Sequence, residues 1–149
     1  MPRKHSHVTL AFALGLTLLA ACGGSDDSSS SETTPATSVV DGYQVLAPAD
    51  ADALLRNPPD GLIIVDVRTP EEFASGHIEG AVEIDLQSAS FETDVAGLDP
   101  KAPYFVYCRS ANRSAQAIAY MQQHGFDTIY ELEGGIVAWQ TAGLPVVTV

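Results

Sequence analysis

From residue 42 onward, short apolar runs alternate with segments whose apolar residues return every three or four positions. Tyr43-Gln44-Val45-Leu46 reads as a short strand, and Pro48 suits the first turn of a helix that carries Leu54 and Leu55 and reaches Arg56. Asn57-Pro58-Pro59-Asp60-Gly61 breaks that helix. Leu62 to Val67 is almost uniformly apolar and β-branched, the pattern of an inner parallel strand buried on both faces. Thr69 is placed to cap a short helix opening at Pro70, with Glu71 and Glu72 in its first turn, where the helix dipole favours them. Gly76-His77-Ile78-Glu79-Gly80 ends it. Ala81 to Ile84 predicts a strand, Phe91 to Leu98 a weak helix, and Pro103 to Tyr107 a second strongly apolar strand. A helix is expected from about Asn112 to His124, stopped by Gly125. Thr128 to Leu132 predicts the last strand, and Gly134-Gly135 leads into a helix around Ile136 to Gln140 with the only tryptophan, Trp139. Such alternation implies an α/β fold: a parallel sheet with helices on both faces, taking ligands at the carboxyl ends of its strands.

The preceding segment follows another pattern. Arg3 and Lys4 open a short basic region, Val8 to Ala20 is apolar, and Leu19-Ala20-Ala21-Cys22 follows. This is the layout of a secretory signal peptide over residues 1–21, with an apolar stretch too short to span a bilayer as a helix. Leu19 to Cys22 resembles a bacterial lipobox, which implies cleavage before Cys22 and lipid attachment to it; plain cleavage after Ala21 with a free Cys22 is the alternative. Residues 22–41 are rich in Gly, Ser, Asp and Thr, a composition that reads as a flexible linker ahead of the domain at 42–149. The expected location is therefore outside the cytoplasm, on the outer face of the cell membrane or in the periplasm.

Two cysteines allow at most one disulfide, Cys22 to Cys108, and that bridge and lipidation of Cys22 exclude each other. The chain has 19 acidic against 7 basic side chains, a net charge of −12, and loss of Arg3 and Lys4 with the leader makes it more acidic still. That balance argues against nucleic acid and anionic lipid as partners. The remaining bases are Arg56, Arg68, Lys101, Arg109 and Arg113, and the last two sit in one short turn.

That turn, Cys108-Arg109-Ser110-Ala111-Asn112-Arg113, lies between a strand and a helix. Unpaired N–H groups and the positive end of the dipole at a helix N-terminus favour an anion there, so Cys108 is predicted to be a thiolate nucleophile. Two arginines and two small residues extend the prediction to an anionic substrate cradled by backbone. A cysteine ending an inner strand can instead be a small core hydrophobe, and the charged composition of the turn argues against burial.

Four segments carry a resemblance to the single-domain rhodanese family of sulfurtransferases. They are Ile64 to Arg68; Glu71-Glu72-Phe73 with Gly76 to Ala81; Cys108 to Arg113; and Leu132 to Ile136 with Trp139 and Gly143 to Val146. The resemblance covers about Gly42 to Val149 and implies a single domain around a five-stranded parallel sheet. It implies Cys108 as nucleophile, with Arg109, Ser110, Ala111, Asn112 and Arg113 forming the substrate-binding loop. Sulfur would pass from thiosulfate or a similar small anionic donor, through a Cys108 persulfide, to cyanide or a thiol, with no metal or organic cofactor. The alternative is a persulfide carrier or sensor serving a protein partner.

Related phosphatases of the same fold carry a loop one residue longer, and Ser114 stands where they would need arginine. A cationic loop also favours thiosulfate over 3-mercaptopyruvate. Ala111 departs from the glycine of many relatives and must take an ordinary backbone conformation or be strained. Asp66 and Arg68 leave the end of the neighbouring strand; they read as an ion pair orienting the turn or as residues reaching the loop. His77 reads as a hydrogen-bonded loop residue rather than a base, and Trp139 as core.

Overall fold

The computed structural model describes residues 42–149; the expected signal peptide, Cys22 and the linker lie outside the described residues. The element order is β1 (Tyr43–Leu46), α1 (Pro48–Arg56), β2 (Ile63–Asp66), α2 (Pro70–Ser75), β3 (Val82–Glu83), α3 (Phe91–Ala96), β4 (Pro103–Tyr107), α4 (Asn112–Gln123), β5 (Thr128–Leu132) and α5 (Gly135–Thr141). All strand pairings are parallel, in the order β1-β5-β4-β2-β3. The expected strand over residues 81–84 contracts to Val82–Glu83 at the sheet edge, and the weak helix from Phe91 stops at Ala96.

Side-chain alternation along β4 divides the core. Tyr104 and Val106 face one way, into a cluster with Phe91 and Val95 of α3 and Ala117, Ile118 and Met121 of α4. Phe105 and Tyr107 face the other, against Ala51 of α1 and Ile136 and Trp139 of α5. Because β4 is covered on both faces, every residue from Tyr104 to Tyr107 is fully buried, which explains its unbroken apolar sequence.

Strand order places the ligand end. The chain leaves β2 for β3 on one side and leaves β4 for β5 on the other, while β2 and β4 are neighbours. Their carboxyl ends therefore open onto a crevice from which the two connections diverge. Cys108 follows β4 and Arg68 follows β2 at this point.

Asp66 and Arg68 stiffen the floor of the crevice. Arg68 Nη2 donates to Asp66 Oδ2 at 2.6 Å and Nε to Oδ1 at 2.9 Å, with both residues buried. The same Nη2 donates to the Gly76 carbonyl at 2.7 Å, and the guanidinium lies 5.8 Å from the centre of the Tyr107 ring. Tyr107 in turn accepts from the Ile78 N–H at 3.0 Å. Burial alone would lower the Arg68 pKa, but the hydrogen bond and charge of Asp66 outweigh it and raise it, so the guanidinium stays charged. His77 is a buried loop residue: its ring stacks on Phe73, Nδ1 lies 3.0 Å from the Phe73 carbonyl, and its backbone bridges to Val147.

Arg68→Met removes one partner and leaves Asp66 buried without its counter-charge. Chemical denaturation is expected to show a loss of about 3–5 kcal/mol.

Candidate active site

The turn after β4 is shaped from behind. The carbonyl oxygen of Cys108 accepts from the N–H of Ile136 at 2.9 Å, and that of Arg109 from the N–H of Val137 at 3.2 Å. The first turn of α5 thus spends its free donors on the loop. With those two carbonyls pulled toward α5, the N–H groups of the same peptide planes, those of Arg109 and Ser110, point away from it. Among the described residues, no backbone hydrogen bond is donated by Arg109 through Ser114, and the first within this turn runs from Ala115 to Ala111 at 3.1 Å. α4 also carries no side-chain N-cap. The result is a nest of unengaged donors at the start of a 12-residue helix.

Glycine makes this packing possible. Gly134 and Gly135 have φ of +67° and +63°, and a Cβ on Gly135 would lie 2.5 Å from the Cys108 carbonyl oxygen. The Gly-Gly pair predicted as a tight turn is therefore also the surface against which the loop is pressed.

Ala111, at the end of the loop, has φ +68° and is the one non-glycine among the described residues with positive φ. Of the two conformations open to it in the sequence, it takes the strained one, because reversing the chain from β4 into α4 needs a left-handed residue here.

Cys108 is 1 % exposed. The expectation that the charged turn keeps it out of the core is corrected: the side chains of Arg109, Ser110 and Asn112 are exposed, while the thiol sits beneath the loop they decorate. Its Sγ lies 3.5 Å from Ser114 Oγ, which also contacts the Ala111 carbonyl at 3.1 Å and Glu131 Oε1 at 2.6 Å.

Arg113, expected in the substrate-binding loop, is paired with a carboxylate. Its Nη1 and Nη2 donate to the two carboxylate oxygens of Glu72 at 2.7 and 2.8 Å. Glu72 is held in place because it closes a capping box with Thr69 at the start of α2. The hydrogen bond from Arg113 pulls the Glu72 pKa below its ordinary value, and the same bond raises that of Arg113. Arg109 makes no side-chain hydrogen bond or ion pair among the described residues, so it is the cation of the loop not already paired.

This is a strand–turn–helix site with a buried thiol beneath a loop of unengaged backbone donors, and a sequence model of the rhodanese-like domain matches residues 47–142. The chain belongs to the rhodanese-like family. It is 41% identical over 101 residues to a thiosulfate sulfurtransferase GlpE of Pseudomonas aeruginosa strain LESB58, covering 68% of this chain and 87% of that protein. It is 35% identical over 100 residues to a sulfurtransferase of Allochromatium vinosum, covering 66% and 92%. A crystal structure of a rhodanese-related protein from Thermoplasma volcanium superposes with a TM-score of 0.60 at 30% identity, over 69% of this chain and 96% of that one.

Two features of this rhodanese-like site were not read from sequence. Glu131 is an acid in the inner strand β5, 4 % exposed, where an apolar side chain would be routine. That mismatch was the available signal. The Thr69-x-x-Glu72 spacing announces a helix cap, but nothing local announces its reach to Arg113, 41 residues on.

Ala111→Gly relieves the left-handed strain, and thermal unfolding is expected to show a gain of about 1 kcal/mol. For Glu72, whose folded pKa is depressed, stabilisation by the Arg113 pair is fully present above the ordinary value of 4.5 and is lost as pH falls through the lower folded value. The difference in urea midpoint between wild type and Glu72→Gln should therefore be constant above pH 4.5 and close below it.

Proposed function

We propose that the protein is a sulfurtransferase that carries sulfur as a persulfide on Cys108. The observation that carries this reading is the six-residue loop from Cys108 to Arg113, whose N–H groups make no backbone hydrogen bond and so stay free for an anion. In the first half-reaction the Cys108 thiolate attacks the outer sulfur of thiosulfate or a similar donor. The new Sγ–S bond forms as the donor's S–S bond breaks, and sulfite leaves with the electron pair. In the second, cyanide or a thiolate attacks the outer sulfur of the persulfide, and Cys108 departs as a thiolate. No redox equivalent or metal is consumed.

Recognition of the anionic donor falls first to the N–H groups of the loop. They are preorganised by α5 and cost no rearrangement as charge moves from donor to sulfite. Arg109 adds the unpaired positive charge, whereas Arg113 meets the substrate already neutralised by Glu72. Asp66 and Arg68 act from below, by fixing the ends of β2 and of the segment before β3. We extend the proposal to location: the export signal and lipobox cysteine, Cys22, would tether the domain to a membrane on its outer side.

In the reduced protein, thiocyanate is expected to form from thiosulfate and cyanide. Cys108→Ser should lower that rate on the order of 10³-fold while leaving the thermal midpoint close to wild type. Absence of turnover in reduced wild type, with sulfur nonetheless retained on Cys108 by mass spectrometry, would replace turnover by the carrier reading. Absence of both would remove the persulfide mechanism.

A further inference from the structure

Beneath the loop, four side chains form one hydrogen-bonded line. The Tyr43 hydroxyl donates to Glu131 Oε2; Glu131 Oε1 lies 2.6 Å from Ser114 Oγ; and Ser114 Oγ lies 3.5 Å from Cys108 Sγ. Glu131, Ser114 and Cys108 are all buried, so water does not complete their valences. Tyr43 stays a donor throughout, because burial and then its bond to Glu131 push its pKa well above the ordinary 10.0.

Two cations stand near the thiol end of this line, Arg109, exposed on the loop, and Arg113, which is paired with Glu72. β1 contributes Tyr43, the residues of β4 are Pro-Tyr-Phe-Val-Tyr, and Arg113 is the one charged side chain of α4, bound to Glu72. Tyr104 and Tyr107 of β4 direct their hydroxyls elsewhere, to the Asp99 carbonyl and the Ile78 N–H.

A serine hydroxyl has one proton to donate. With Cys108 as a thiol, S–H donates to Ser114 Oγ and Ser114 donates to the Glu131 carboxylate. With Cys108 as a thiolate and the proton passed along the line, Ser114 donates to Sγ, and Glu131 itself brings a proton to Ser114 Oγ. The remaining arrangement, thiolate and carboxylate together, lets Ser114 serve only one of them, leaving Glu131 with Tyr43 alone or Sγ without the hydroxyl, and sets two like charges about one hydroxyl apart.

We propose that Cys108 and Glu131 hold one proton between them through the Ser114 hydroxyl, making Glu131 a positioning residue that decides when the thiol is a nucleophile. In the internal transfer the S–H bond breaks as a proton moves to Ser114 Oγ, the Ser114 proton moves to Glu131 Oε1, and the total charge of the group is unchanged. The thiolate form is thereby available without loss of a proton to solvent. Further ionisation has to remove the shared proton and is displaced to higher pH.

This rests on Cys108 as the nucleophile of the proposed transfer, so the test reads the thiolate directly. The full chain is alkylated with iodoacetamide across pH, with modification at Cys108 followed by peptide mass spectrometry. Wild type is expected to show two steps in rate: a shoulder from the shared-proton form and a rise at higher pH. In Glu131→Gln the amide nitrogen donates permanently to Ser114 and the amide oxygen accepts from Tyr43. The variant is expected to show a single step, about one pH unit or more below the upper step of wild type.

Ser114→Ala cuts the line and should abolish the shoulder while Glu131 remains. A single step in wild type overturns the proposal whether or not either variant folds, as does a Glu131→Gln profile that superposes on wild type. Thiocyanate formation is measured separately; its loss with a two-step profile retained would overturn the proposed transfer and not the shared proton.

Discussion

The site depends on the direction in which two peptide planes face. Once Ile136 and Val137 have drawn the carbonyls of Cys108 and Arg109 toward α5, the opposite edge of the loop can present only donors. Those free donors favour an anion at the crevice, in a chain whose net charge of −12 would otherwise repel one. The close approach demands a residue without Cβ at Gly135, a left-handed turn at Ala111 and a helix whose first N–H groups are not spent on a side-chain cap. Fold and site are linked through a contact between backbones, with the glycines as its permissive condition.

Formal charge plays a smaller part than the composition of the loop suggests. Arg68 and Arg113 are both neutralised by carboxylates, one under the crevice and one at its side, and each is used to hold an element in place. A buried pair of that kind contributes specificity of arrangement more than net stability, since desolvation offsets much of the attraction. The dipoles of the loop, by contrast, need no counter-ion and are aimed before substrate arrives.

Much of this could be read along the chain. The apolar runs at residues 62–67 and 103–107 announced inner strands, and Thr128–Leu132 fell where the pattern put it. The Cys108 turn and the glycines at 134 and 135 were visible because strand-to-helix punctuation is local. The missing parts were long-range. Glu72 looked like an N-terminal acid serving its own helix, and its pairing with Arg113 exists because the order β4-β2 brings α2 and α4 to the same crevice. Burial of Cys108 could not be judged from neighbours in sequence, since successive loop residues face opposite ways: Arg109 and Ser110 outward, the thiol inward. Glu131 gave a signal by being charged in an inner strand, but its partners come from β1, from the β4–α4 turn and from α4.

Keeping the loop in shape and meeting what arrives at it are assigned to different residues. The backbone is fixed by Ile136, Val137, Gly135 and Ala111, none of which projects a functional group toward the crevice mouth. Arg109, Ser110 and Asn112 do face outward and bear none of the weight of the turn through their side chains: Asn112 enters it by its backbone carbonyl, which accepts from Gln116. Those three positions can drift in size and charge without unmaking the nest behind them. What the domain meets is therefore set at three surface positions, separately from the thiol and the cradle behind them.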